Sequence, residues 1–316
     1  MVGKVFDMKT MIFARSAGLI PALVFSSNVL AADLIDSETI TTEEFVERSR
    51  PAFFGEAEIY GSHFHLSGSA VEAAEDVDYQ SIGGGIKLGI NFAGNWMIQG
   101  DLAGEATNVG SADDSYKDSI TTTGHVAYRN DMGLIGAFGG YLATDQDNDA
   151  TDSSNRYFVG GEAQYFVGDT ATIYLQGGYL DGTGGDDDLG EDSITDAWFA
   201  RIAARYFFTP KTRLDGSFAY ADGIMDNDID SVDLYTLGVG LDHQFMDNGL
   251  SGFVRYEYSH YNQPTEADTI NEHVIFAGLK FSFGANSSLL EADRSGASLD
   301  TPPLARWVAQ TGGPLE

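Results

Sequence analysis

Between residues 53 and 283 the chain keeps switching between apolar and polar side chains in segments of about ten to fourteen residues. In one segment Ile82, Gly84, Ile86, Leu88, Ile90 and Phe92 take one parity, while Gly83, Gly85, Lys87, Gly89 and Asn91 take the other. Successive side chains of a strand point to opposite faces, so such a segment has one greasy face and one polar face. Repeated along one chain, this is the pattern of a transmembrane β-barrel, with lipid outside and water inside.

The pattern predicts twelve strands, at 53–67, 79–92, 96–107, 118–129, 132–144, 155–167, 171–180, 197–208, 212–221, 233–245, 250–260 and 272–283. Tight turns such as Ala93-Gly94-Asn95, Asn130-Asp131 and Asp247-Asn248-Gly249 alternate with longer acidic connections. An all-β, up-and-down antiparallel barrel with short periplasmic turns and long acidic extracellular loops predicts that alternation. An even strand number also places both ends of the barrel on the periplasmic side.

Energy fixes which face is which. On 197–208, Trp198, Ala200, Ile202, Ala204, Tyr206 and Phe208 oppose Phe199, Arg201, Ala203, Arg205 and Phe207. An arginine facing lipid near the midplane costs ~2–4 kcal/mol, so Arg201 and Arg205 are expected in the lumen. The same logic sends Tyr157, Val159, Ala163 and Tyr165 outward, and Arg156, Glu162 and Gln164 inward. Aromatic residues near strand ends, among them Phe92, Trp96, Tyr128, Tyr165, Tyr206, Phe208, Phe245, Phe281 and Phe283, fit interfacial girdles. A soluble sandwich would alternate too, but here the second face is rich in Gly, Ser, Thr and charge, too small and polar for a second wall. The first strand resists sorting: Glu56, Glu58, His63 and His65 do not share one face, which predicts a bulge near Gly61.

The ends are read separately. Residues 1–31 have a basic start (Lys4, Lys9, Arg15), a short apolar core from Ala17 to Phe25, and small or apolar residues before Ala32, as a secretory signal peptide does. Residues 32–52 are expected to form a periplasmic leader, 53–283 the barrel, and 284–316 a periplasmic tail. In that tail, Pro302, Pro303 and Pro314 limit regular structure, and Leu304 to Val308 can form one amphipathic turn around Arg306 and Trp307. It is either an irregular end or a segment whose Trp307 docks at the periplasmic mouth and narrows it. The absence of cysteine removes disulfides and thiolate metal sites. A formal charge of −31 excludes nucleic acid as a partner, while 43% hydrophobic residues argue for a folded chain.

The final strand carries a family resemblance. Gly278, Phe281 and Phe283, in the run Ala-Gly-Leu-Lys-Phe-Ser-Phe, resemble the assembly signal of Gram-negative outer-membrane β-barrel proteins of the porin-like class. The chain departs from that pattern by continuing from Gly284 to Glu316. The resemblance implies an outer-membrane location, contact with membrane lipid and lipopolysaccharide, recognition of the final strand by the barrel-assembly machinery, and passage of small hydrophilic solutes. It leaves association into a homo-oligomer open.

Candidate chemistry lies in two places. The acidic loops contain Asp145, Asp147, Asp149 and Asp226, Asp228, Asp230, but Ala150 and Ser231 replace the glycine a calcium loop needs, and Arg156 and Leu237 replace its glutamate. Solvated loops are preferred there over loose divalent-cation binding, and no cofactor motif is present. The lumen is more specific: Lys87, Arg156, Arg201, Arg205, Arg255 and Lys280 are expected inward, with Asp101, Glu105, Glu162 and Glu257. Facing rows of opposite charge at a constriction would select solutes by charge, and inward Gly, Ser and Ala favour open space. That predicts a diffusion channel. The rival is a non-conducting structural or surface-interaction barrel in which these charges pair into a plug. A third reading rests on His65 and Ser67, whose spacing resembles that of outer-membrane phospholipases, but no asparagine partner is evident.

Overall fold

The computed structural model describes residues 50–69, 77–92, 94–108, 118–145, 153–182, 194–225, 231–263, 268–285 and 288–311. The expected signal segment, nearly all of the expected leader and most of both aspartate runs lie outside the described residues.

Twelve strands form a closed antiparallel barrel: β1 (Phe53–Ser67), β2 (Val77–Phe92), β3 (Trp96–Asn108), β4 (Asp118–Arg129), β5 (Gly133–Asp145), β6 (Ser153–Val167), β7 (Ala171–Gly182), β8 (Ile194–Thr209), β9 (Thr212–Met225), β10 (Ser231–Gln244), β11 (Leu250–Gln263) and β12 (Asp268–Phe283). Each strand pairs with its sequence neighbours, and β1 closes on β12 with Gly55 opposite Phe283 and Ser67 opposite Asn271. Closure leaves no unpaired edge, which a strand-built object in lipid requires. Strands run beyond their expected ends mainly on the loop side, because backbone pairing continues in water where side-chain alternation is no longer enforced.

The parity expected for the wall holds. Trp198 (70% exposed), Ile202, Tyr206 and Phe208 face outward, while Phe199, Ala203, Arg205 and Phe207 are buried inside. Rings gather at both ends of the wall: Trp96 with Tyr128 and Tyr206 with Phe208 at the turn side, and Tyr141 with Tyr157 and Tyr179 with Trp198 at the loop side.

The first strand differs from expectation. It pairs with both neighbours in unbroken register past Gly61. The irregularities fall instead between β8 and β9, at Ile194/Asp196 and Phe207/Thr209. Even-numbered residues of β1 point inward, so Glu56 and Glu58 are in the lumen, near Lys87 and Lys280 at 3.9 Å each. His63 and His65 point outward at the loop end, where Asp78 meets His65 at 2.9 Å. No bulge is needed, because the inward carboxylates have cations to face and the outward histidines lie above the apolar band.

The largest departure is the segment after β12. It is not a tail below the barrel. Gly284 has φ +86°, and a Cβ there would lie 2.3 Å from the Phe53 carbonyl oxygen, so only glycine fits this bend. The chain then turns into the lumen and forms two short helices, α1 (Leu289–Ser295) and α2 (Leu304–Thr311). Ser288 caps α1 by accepting a bond from the Glu291 N–H. Helix α2 packs on β4, β5 and β8.

The lumen wall is correspondingly less open than its small residues suggested. Phe138, Phe158 and Phe199 form an apolar floor with Leu142, Leu180 and Leu234, and Leu304, Trp307 and Val308 of α2 complete it. Inward glycines serve as beds for those rings: a Cβ at Gly160 would lie 2.4 Å from the Phe138 ring, and one at Gly140 equally close to Phe158. Burying these faces against each other supplies a hydrophobic drive for docking the tail.

Candidate functional site

The expected charged residues all lie on inward-facing strand positions, but their partners are not the ones the alternation suggested. On the basic side, Lys87 from β2 and Arg201 and Arg205 from β8 converge on a tail residue, Asp300. Its Oδ1 lies 3.0 Å from Lys87 Nζ, and its Oδ2 lies 2.7 Å from Arg205 and 3.3 Å from Arg201. Arg205 also donates to Asp293 of α1 at 2.7 Å and to the Ser298 carbonyl at 2.9 Å. Burial would raise the Asp300 carboxyl pKa, but Arg205, Lys87 and Arg201 outweigh that and hold it well below the usual carboxylate range. Asp293 is lowered in the same way, with Arg205 opposing the cost of burial.

On the acidic side the arrangement inverts. Arg306 of α2 donates to Glu257 on β11 and lies 3.7 Å from Glu105 on β3, with its guanidinium 4.7 Å above the Phe276 ring. The tail therefore presents carboxylates where the wall is basic and a guanidinium where the wall is acidic.

Hydrogen bonds to the tail backbone and from tail side chains to the wall backbone fix the path between these pairs. Arg129 donates to the Gly296 carbonyl at 3.0 Å and to Ser298 Oγ at 2.8 Å. Gln99 donates to the Leu299 carbonyl, Gln164 to that of Ser298 and Gln176 to that of Asp300. The tail's irregular stretch thus has its carbonyls satisfied by wall side chains, as buried backbone requires. Arg294 donates to the carbonyls of Gly168 and Ala171 at the β6–β7 turn, with its guanidinium 4.2 Å over Phe166. Trp307 (1% exposed) donates to Thr236 Oγ1 at 3.0 Å in the loop-side half of the lumen. The expectation that it docks at the periplasmic mouth is corrected: the apolar floor that accepts it lies deeper.

The remaining expected residues separate. Asp101 and Glu162 do not form a row facing the arginines. They bracket the buried His125 at 3.3 and 2.8 Å, and Tyr174 and Gln176 also donate to Glu162. Lys280 meets Asp242 at 3.2 Å, and Asp242 also accepts from Arg213 at 2.7 Å. Arg156 is buried away from this region, donating to the Ile194 carbonyl at 3.0 Å. Arg255 meets Glu257 only at 3.9 Å.

Sequence reading missed His125, Asp242, Glu58 and the tail residues Asp293 and Asp300. The tail's alternation of charge sign, with Asp293, Arg294, Asp300 and Arg306 among apolar residues, was the available signal.

A cavity of about 300 Å³ remains beside the tail. Lys87, Arg201 and Arg205 line it near Asp300, and Arg213, Arg255 and Glu58 line it farther along the wall. His65 and Ser67 do not line it, being on the outward face of β1. Among the described residues no group of histidines and carboxylates is arranged to hold a metal ion.

No protein-family model matches the chain, and comparison with curated proteins gives no match. Solved structures do match. The COG4313 outer membrane channel from Pseudomonas putida F1 is 14% identical over 74% of this chain and 96% of its own, with a TM-score of 0.58. The translocator domain of autotransporter NalP from Neisseria meningitidis is 12% identical over 75% and 90%, at 0.44. The KdgM porin is 12% identical over 71% and 99%, at 0.39. At these identities the likeness is one of fold, a closed antiparallel β-barrel like that of the COG4313 outer membrane channel.

Proposed function

We propose that this protein is an outer-membrane channel for small hydrophilic solutes, narrowed from within by its own C-terminal segment. The observation that carries this reading is the charged cavity left between the tail and the wall, inside a barrel whose outer face is an apolar band. Solutes would pass along the side of the tail, where Arg255, Lys280 and Arg213 face Glu58 and Asp215. Fixed charges of both signs along a narrow path favour solutes by charge and dipole. No catalytic step is part of the reading.

Single-channel recording of the refolded mature protein in a planar bilayer tests it. Discrete open steps are expected, with a reversal potential in a salt gradient that Arg255→Ala shifts toward cations. Silence from wild type, with current appearing only once the tail is released, would favour the rival reading of a closed barrel. The docking of the tail through buried ion pairs is what favours that rival.

A further inference from the structure

Asp300 occupies the lumen as a bound ligand would. Its two oxygens are shared between cations from opposite walls, Oδ1 with Lys87 and Oδ2 with Arg205 and Arg201. Among the described residues the wall's own carboxylates stand farther from this trio than Asp300 does. Lys87 reaches Glu56 only at 3.9 Å, Arg201 bonds the neutral Gln176 at 2.9 Å, and both carboxylates of Arg205 belong to the tail. The carboxylate oxygens that bond these cations directly therefore belong to the tail and not to the barrel. The cavity of about 300 Å³ opens onto them, a volume at the lower end for small-ligand sites. Farther along it stands Arg255, whose neighbour Glu257 is already taken by Arg306.

Taking the channel reading as its basis, we propose that Lys87, Arg201 and Arg205 form a recognition site for the carboxylate of a small organic acid, which exchanges with Asp300 as it passes. Arg255 receives a second carboxylate where the solute has one. Exchange keeps the buried cations paired throughout, avoiding the cost that a bare buried charge carries. The tethered Asp300 competes at an effective concentration on the order of millimolar, so the solute is held weakly. Weak holding is what conduction needs, since a solute must leave as readily as it enters.

The test titrates the full mature chain, refolded in detergent, with succinate, followed by calorimetry and by Trp307 emission in a Trp96→Phe, Trp198→Phe background. Asp300→Asn keeps the side-chain shape and removes the competitor, and should bind succinate at least ten-fold more tightly than wild type. Adding Arg205→Gln should reverse that gain. In the otherwise wild-type chain, Arg201→Gln should raise the half-saturating succinate concentration at least three-fold, a readout that does not depend on the Asp300 variant folding. Equal affinity of Asp300→Asn and wild type, or no effect of Arg201→Gln, overturns the site. Succinate binding without any current in bilayers rejects the channel reading and upholds the site; current without these affinity changes does the reverse.

Discussion

Lys87 and Arg205 stand on β2 and β8, six strands apart in a ring of twelve, and they share one carboxylate across the lumen. That carboxylate, Asp300, belongs to a segment that has already left the sheet. The lumen is thus bridged at this level by an ion cluster whose central member is not part of the wall.

Arg205 is the residue on which the tail depends most, because it holds both Asp293 and Asp300. Arg205→Ala leaves two carboxylates short of a cation, and breaking a buried pair in this way typically costs 3–5 kcal/mol, so about that loss in docking is expected. Trypsin should then cut after Arg294 and Arg306 in a barrel that still resists SDS. Continued protection of both sites would refute the assignment.

Gly284 controls whether the chain can turn inward. Gly284→Val forces a branched side chain into a left-handed backbone, at ~1–2 kcal/mol before the collision with Phe53 is counted. The expected outcome is a folded barrel with a released tail and a larger single-channel conductance than wild type.

Trp307 anchors α2 through its ring more than through its indole hydrogen bond to Thr236. Trp307→Ala removes a fully buried aromatic from the inner apolar cluster and should weaken docking by about 3–5 kcal/mol. Trp307→Phe should recover most of that loss, since the ring contacts remain and only the bond to Thr236 is gone. Limited proteolysis of the two variants side by side separates these contributions.

Acid should release the tail. The Asp300 carboxyl is held below its ordinary value, so its contribution to docking is fully present above the ordinary carboxylate range and is lost as pH falls through the lowered value. Trp307 emission should be constant from neutral pH to about 4 and change progressively below that. Asp300→Asn should shrink this acid transition to the part carried by Asp293, and a wild-type tail that undocks between pH 7 and 5 would contradict it.

The lipid face makes its own demand. Ile202 points outward on β8, opposite Leu175 and Phe218 of the adjoining strands. Ile202→Arg should cost the barrel ~2–4 kcal/mol, read as a lower urea midpoint in lipid vesicles, while leaving the lumen unchanged.

The sequence by itself determined the barrel. Twelve strands, their order and the face each side chain takes follow from two-residue alternation, because a side chain such as Arg201 or Ile202 has only two directions available and lipid penalises the wrong one. The candidate residues were legible in part: parity identified inward charges such as Arg201, Arg205 and Glu257, while Glu58 and Asp242 were missed. Only the tertiary structure decided what those charges touch. Alternation fixes the direction of Arg205, Lys87 and Glu257 but carries no information about a segment outside the sheet, so the order of charges at Asp293, Asp300 and Arg306 did not say which wall residues they would meet. The reading of inward glycines as open space failed for a related reason: at Gly140 and Gly160 the missing side chain makes room for a neighbouring phenylalanine ring. Whether the lumen was empty or filled depended on contacts between residues over a hundred positions apart, such as Thr172 with Asp293 and Gln99 with Leu299, which only the closed barrel brings together.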